Sequence, residues 1–132
     1  MAQLNAYFTF NGNCREAMTF YKECLGGELE LQTVADSPLG GNLPVGIKEC
    51  ILHAKLRSEG IIIMGTDMAP ENLVKGNAVS MVLTFNSEKK LREVYHKMSE
   101  DGEASHPPEI TFYGTLFGNL TDKFGHHWLF YS

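Results

Sequence analysis

Basic residues are the scarcer charge in this chain: 11 Lys and Arg stand against 16 Asp and Glu, for a formal net charge of -5. A nucleic-acid surface concentrates Lys and Arg to neutralise phosphates, so this deficit, with the basic residues scattered along the chain, argues against nucleic acid as a partner. Long apolar runs are also missing. None approaches the roughly 18 residues needed to span a bilayer, and the N-terminus lacks a basic-then-apolar signal pattern, so a cytoplasmic protein with no membrane partner is expected. Cysteine is sparse, and Cys14, Cys24 and Cys50 are an odd number without CxxC spacing. That argues against a disulfide framework or a zinc cluster and leaves small, buried or half-buried side chains. Gly40-Gly41 has no Lys-Ser/Thr partner and no following helix, and no GxGxxG follows a strand, so neither a phosphate loop nor a dinucleotide fold is expected. No cofactor is implied.

What is there is a chain of 132 residues, 43% of them hydrophobic, enough for one domain with a real core. Leu4 to Phe10 alternates, with Leu4, Ala6, Phe8 and Phe10 on one face and Asn5, Tyr7 and Thr9 on the other, which predicts a strand. In the following CREAMTFYKECLGG, Ala17, Met18, Phe20, Tyr21, Cys24 and Leu25 recur at helical spacing. Asn13 is the expected N-cap, with Glu16 three residues on, and Gly26-Gly27 the left-handed stop. Glu28 to Ala35 reads as a strand, and the Gly- and Pro-rich Asp36 to Gly46 as a loop or loose hairpin arm. Ile47 to Leu56 and Gly60 to Gly65 read as two strands around a turn at Arg57-Ser58-Glu59. After a connector from Thr66 to Gly76 the order restarts: a strand from Asn77 to Phe85, a helix from about Ser87 to Ser99, a stop at Gly102, and strands to the end.

The restart is an internal repeat. Phe8-Thr9-Phe10-Asn11 matches Leu83-Thr84-Phe85-Asn86 at an offset of 75, which also places Gly27-Glu28 on Gly102-Glu103. At an offset of 65, Gly60 and the strand after it fall on Gly125 and the strand after that. The difference is absorbed between the second and third strands of the first half. The fold class expected is therefore α+β: two βαβββ modules in a single domain spanning 1–132, with module 1 at about 1–66, a connector at 67–76 and module 2 at about 77–132. Joining the two sheets gives a curved mixed sheet with a concave cleft and helices on the convex side. Strand alternation lines that cleft with Asn5, Tyr7 and Thr9, with Ser80, Val82 and Thr84, with Ile62 and Met64, and with His127, Leu129 and Tyr131. His53, in mid-strand, joins them as a candidate for binding or proton transfer. The lining is mixed and close to neutral, which suits a small organic ligand.

The blocks YFTFNGNCREAMTFYKECLGGELEL, HAKL (His53 to Leu56) and FGNLTDKFGHHW together resemble the PhnB-like branch of the vicinal oxygen chelate superfamily. Glyoxalase I, bleomycin-resistance proteins, fosfomycin-resistance enzymes and extradiol dioxygenases belong to the same superfamily. The resemblance runs over nearly the whole chain and implies paired βαβββ modules and a homodimer, often with the cleft completed across the interface. Catalytic members bind a divalent metal through a His or Gln on the first strand, a His on the fifth and a Glu on the last. Carried over, these positions fall near Asn5, Ala6 or Tyr7, on Ser80 and on Leu129. None is a good ligand, and leucine cannot coordinate at all, so no metal site is expected. The branch is often labelled a demethylubiquinone methyltransferase, but the sequence shows no place for a methyl donor.

Other histidines offer little. His126 and His127 are neighbours, so on a strand they point to opposite faces and cannot chelate one ion together. His96 and His106 are expected to face solvent. Glu23, Glu28 and Glu30 read as a solvated surface, and Trp128 as a core residue. The leading expectation is a metal-free, dimeric protein that binds a small organic molecule, with Tyr7, Trp128 or Tyr131 offering stacking surfaces. One alternative is a metal-dependent lyase, isomerase or dioxygenase with a displaced site built from His53, His127 and a carboxylate such as Glu49 or Asp122. Another is an antibiotic-sequestering resistance protein, which would favour a more acidic groove than this one.

Overall fold

The computed structural model describes residues 2–38, 41 and 43–132. Packing divides the chain into two compact units, Met1–Leu73 and Val74–Ser132. The first unit runs β1 (Ala6–Thr9), α1 (Cys14–Leu25), β2 (Glu28–Thr33), α2 (Val45–Lys48), β3 (Ile51–Ser58) and β4 (Ile61–Thr66). The second runs β5 (Ser80–Thr84), α3 (Glu88–Met98), β6 (Glu103–Ile110), β7 (Leu116–Thr121) and β8 (His127–Tyr131). Each holds one four-stranded sheet, ordered β1-β4-β3-β2 in the first and β5-β8-β7-β6 in the second. In both, the outer strand preceding the helix pairs parallel with the last strand, and the other neighbours are antiparallel. Both units are thus βαβββ in an α+β arrangement.

The repeat carries down to single residues. Phe8 pairs with Gly65 and Leu83 with Phe130, so the offsets seen in the sequence reproduce the register of both parallel pairs. Gly27 and Gly102 occupy the same place in each unit. A Cβ on Gly27 would stand 2.1 Å from the Arg57 carbonyl oxygen, and one on Gly102 would stand 2.5 Å from that of Thr121. The sheet backbone therefore closes over a residue with no side chain in both units.

One face of each sheet is sealed by its helix. In the first unit α1 buries Cys14, Ala17, Met18, Phe20, Tyr21 and Cys24, and the sheet answers with Phe8, Ala54, Leu56 and Ile63, all buried. Gly65 leaves room there for the Phe10 ring, the Cys14 sulfur and the Met18 sulfur. Cys14 is an inert core thiol. Burial first, then the nearby Asp67 charge, push its pKa up to about 12 against the opposing Arg15. In the second unit α3 buries Leu91, Val94, Tyr95 and Met98. Phe130 meets the Tyr95 ring edge-on and stacks on Phe85, and the Tyr95 hydroxyl donates to the Asn119 carbonyl at 2.9 Å. Each large side chain so buried contributes roughly 1.5–3 kcal/mol.

Several local expectations need correction. Leu4 does not share the buried face of the first strand: β1 begins at Ala6, and Leu4 is 99% exposed. Asn13 stands at the N-cap but makes no side-chain cap bond. Asp67, beyond the end of β4, does that work: its Oδ1 accepts from the Gly12 and Cys14 amides at 3.0 and 2.9 Å, and its Oδ2 from the Ile51 amide at 2.8 Å. One buried carboxylate so ties the helix start to β3.

The expected strand from Ile47 begins only at Ile51, because Val45–Lys48 forms a helical turn. Pro44 starts that turn with φ -58, and its carbonyl accepts from Ile47 and Lys48. The end of the expected Asp36 to Gly46 loop is accordingly helical, while Leu39, Gly40 and Asn42 lie outside the described residues. Ser58 belongs to β3, so the turn falls on Glu59-Gly60, with Gly60 at φ +72. In β6, Pro107-Pro108 lack the amide hydrogens of a regular ladder. The strand sits at a sheet edge and its register shifts on either side of His106, where prolines are tolerated. Among the described residues no helix is long and apolar enough to cross a membrane.

Candidate functional site

The sheet face turned away from each helix is open, and the residues singled out from strand alternation lie on these open faces. In the first unit Tyr7, 53% exposed, is in register with Met64, which is in register with Lys55, and Lys55 with Glu30. The next row joins Ile62, Arg57 and Glu28, and His53 pairs with Gln32. Asn5, Thr9, His53 and Met64 are half-buried. In the second unit the registered pairs are Ser80 with His127, Val82 with Leu129, and Thr84 with Tyr131. Val82 is 58% and Tyr131 43% exposed. The rows continue through Thr121, Asn119 and Phe117 of β7 to Glu103, His106 and Glu109 of β6.

Sequence reasoning missed Lys55, Arg57 and Asn119 on these faces. The two-residue period that places His53 also places Lys55 and Arg57, so the signal was present. Asn119 follows from the alternation of β7, whose Leu116, Gly118 and Leu120 turn to the helix. His106 and His96 are exposed, as expected. His106 is more than a bystander, however. Its Nε2 lies 3.0 Å from the Glu109 carboxylate, and its ring stands beside Phe117.

His127 is held at both ring nitrogens. Nδ1 lies 2.9 Å from the Thr121 hydroxyl, and Nε2 lies 3.3 Å from the Gly76 carbonyl oxygen. A carbonyl only accepts, so Nε2 carries the proton and, in the neutral ring, Nδ1 accepts from Thr121. These contacts link the ring to β7 and to the Gly76 backbone, with Lys75 donating to the Phe124 carbonyl alongside. Asp122, proposed from sequence as a carboxylate for a displaced metal site, is 3% exposed and committed to the turn. Its Oδ1 accepts from the Phe124 and His126 amides at 2.9 and 3.0 Å, and its Oδ2 from the Trp128 indole at 2.8 Å. Trp128 is 1% exposed and belongs to the core, so it is no stacking surface.

At two of the positions where the resemblance implies metal ligands, the side chains offer poor donors. Leu129 has no donor atom, its registered partner is Val82, and Ser80 offers a neutral hydroxyl. Glu49, exposed behind α2, has left the sheet altogether. Within either unit no three His, Cys, Asp or Glu side chains among the described residues come together as an ion would require.

His126 gives a pH signature. Burial lowers its pKa below 6.5, the Asp122 carboxylate opposes that, and Lys75 and His127 reinforce it. Between the lowered value and 6.5 the unfolded chain binds the proton more readily, so stability from this residue is present above 6.5 and is lost as pH falls through the folded value. Denaturant unfolding over this range should show a steeper acid loss for the native chain than for His126→Gln; identical slopes would contradict the assignment.

The chain matches the 3-demethylubiquinone-9 3-methyltransferase family over residues 2–130. It is 32% identical to protein PA1353 from Pseudomonas aeruginosa, whose crystal structure superposes with a TM-score of 0.81 over 98% of this chain and 96% of that one. Protein YjdN of Escherichia coli is 28% identical over 96% of this chain and 92% of its own length. A putative 3-demethylubiquinone-9 3-methyltransferase, a PhnB protein from Bacillus cereus, is 25% identical with a TM-score of 0.75, covering 98% of both chains. More distant glyoxalase- and bleomycin-resistance-type structures, at 14% and 16% identity with TM-scores of 0.60 and 0.61, share the fold alone. The chain thus belongs to the 3-demethylubiquinone-9 3-methyltransferase family, the family of the similar PhnB protein.

Proposed function

We propose that this protein binds a small organic molecule on its open sheet faces and does so without the superfamily's metal. The observation that carries the proposal is Leu129, registered with Val82 on the open face where metal-binding relatives place a carboxylate. Tyr7, Met64, Val82, Leu129 and Tyr131 supply apolar and aromatic contact area, and Asn5, Thr9, His53 and Ser80 supply orienting polar groups. The homodimer implied by the family belongs to the same reading, since exposed outer strands need covering. Sedimentation at micromolar concentration is expected to give a dimer, and a monomer would contradict that part.

Two-dimensional NMR with a library of small aromatic and aliphatic compounds tests the binding itself. Binders are expected to shift residues around Tyr7, Met64, Val82 and Leu129, and Tyr7→Ala to weaken them. Shifts confined to the helix-covered faces would reject the reading. The family description favours a second reading, methyl transfer. It requires a methyl donor to bind, and calorimetry with S-adenosylmethionine separates the two: no heat is expected under the first reading, saturable binding under the second.

A further inference from the structure

A pocket of about 380 Å³ opens at one end of the first sheet, walled by Leu4, Asn5, Arg57, Ser58, Ile61 and Ile62. It forms where the chain enters β1 and the β3–β4 hairpin turns. Its volume falls in the range of small-molecule sites. Its chemistry is specific.

Arg57 brings a permanent positive charge, exposed and in no ion pair among the described residues, although Glu28 is its registered neighbour. Its planar fork is suited to a carboxylate. Asn5 brings a side-chain oxygen that is buried with no hydrogen-bond partner. An acceptor left so is unfavourable, and turning the amide toward the pocket onto a ligand O–H relieves it. The Ser58 hydroxyl spends its proton on the Leu25 carbonyl at 3.0 Å, so toward the pocket it can only accept. Leu4, Ile61 and Ile62 form the apolar wall. Among the described residues no acidic side chain lines the pocket, so an ammonium group would meet Arg57 without a counter-charge, and a hydroxyl is the better donor.

We infer that this pocket takes a small 2-hydroxy carboxylate with a short aliphatic chain: the carboxylate on Arg57, the hydroxyl on Asn5 or Ser58, and the chain along the isoleucines. The inference rests on the reading of the open sheet faces as ligand-binding and names a ligand class for one end of the first.

Titration of 15N-labelled protein with 2-hydroxyisocaproate, followed by NMR, tests it. Shifts are expected at residues 3–5 and 57–62. Loss of one charge-assisted contact should weaken them about tenfold or more, both with the neutral amide of the probe and in Arg57→Gln. Arg15→Gln, on the exposed side of α1, should bind as the native chain does. Equal binding of acid and amide, or undiminished binding by a folded Arg57→Gln, would overturn the inference. The acid and amide comparison needs only the native chain, so it decides even if the variant misfolds. Shifts centred on Tyr7, Met64 and His53 would overturn the pocket while leaving the open-face reading intact. No shift anywhere would overturn the pocket too, leaving the wider reading to its own compound screen.

Discussion

Asp122→Ala is expected to lower the unfolding free energy by about 3–5 kcal/mol, since hydrogen bonds to a charged group are worth about 1.5–3 kcal/mol each and are not additive. The carboxylate collects the amides of Phe124 and His126 and the indole of Trp128 from a site that is 3% exposed. Removing it strands three donors in a place that water cannot easily reach. The turn between β7 and β8 is closed from inside by this one side chain, and the same bond fixes the core tryptophan. Denaturant unfolding followed by the fluorescence of Trp128, the sole tryptophan, reports both effects. A loss below about 1 kcal/mol, the range of an exposed ion pair, would contradict this account of the turn.

Gly27→Ala is expected to cost roughly 3–5 kcal/mol, near the upper end for single substitutions. Two effects act together: φ is +95, a conformation that L side chains rarely adopt, and the new Cβ would stand 2.1 Å from the Arg57 carbonyl oxygen. Backbone cannot step aside as a side-chain tip can. Gly26→Ala separates the two, because Gly26 also has a positive φ, +75, but nothing within 4 Å. With ψ at -168 it lies in an extended, positive-φ region open essentially to glycine alone, so the change should cost about 1–3 kcal/mol, the conformational share alone. Equal losses in the two variants, measured by the same unfolding experiment, would show that the close approach to Arg57 contributes nothing.

These two residues illustrate what was readable in the chain. Gly27 and Gly102 are a repeated pair in the sequence, and the offsets of 75 and 65 carry straight into the registers Phe8 with Gly65 and Leu83 with Phe130. Repeats and two-residue alternation are local or self-referential patterns, so they survive in the letters. The placement of Tyr7, Val82 and Leu129 on open faces came from that alternation. Asp67 did not, because the helix it caps begins 53 residues earlier, while Asn13, the right type at the right place, offered a local answer. The helical turn at Val45–Lys48 was hidden in a Gly- and Pro-rich stretch that usually reads as loop. Asp122 was visible as a turn residue, but its bond to the Trp128 indole depends on the hairpin closing. Its apparent availability as a metal ligand was therefore an artefact of reading residues singly.

The central claim, ligand binding without the superfamily's metal, is tested most directly by elemental analysis of the native protein purified without chelator. Zinc, nickel, iron and manganese are all expected far below one equivalent per chain. Near-stoichiometric, tightly held metal, lost together with ligand binding when His53 and His127 are changed to Ala, would contradict it.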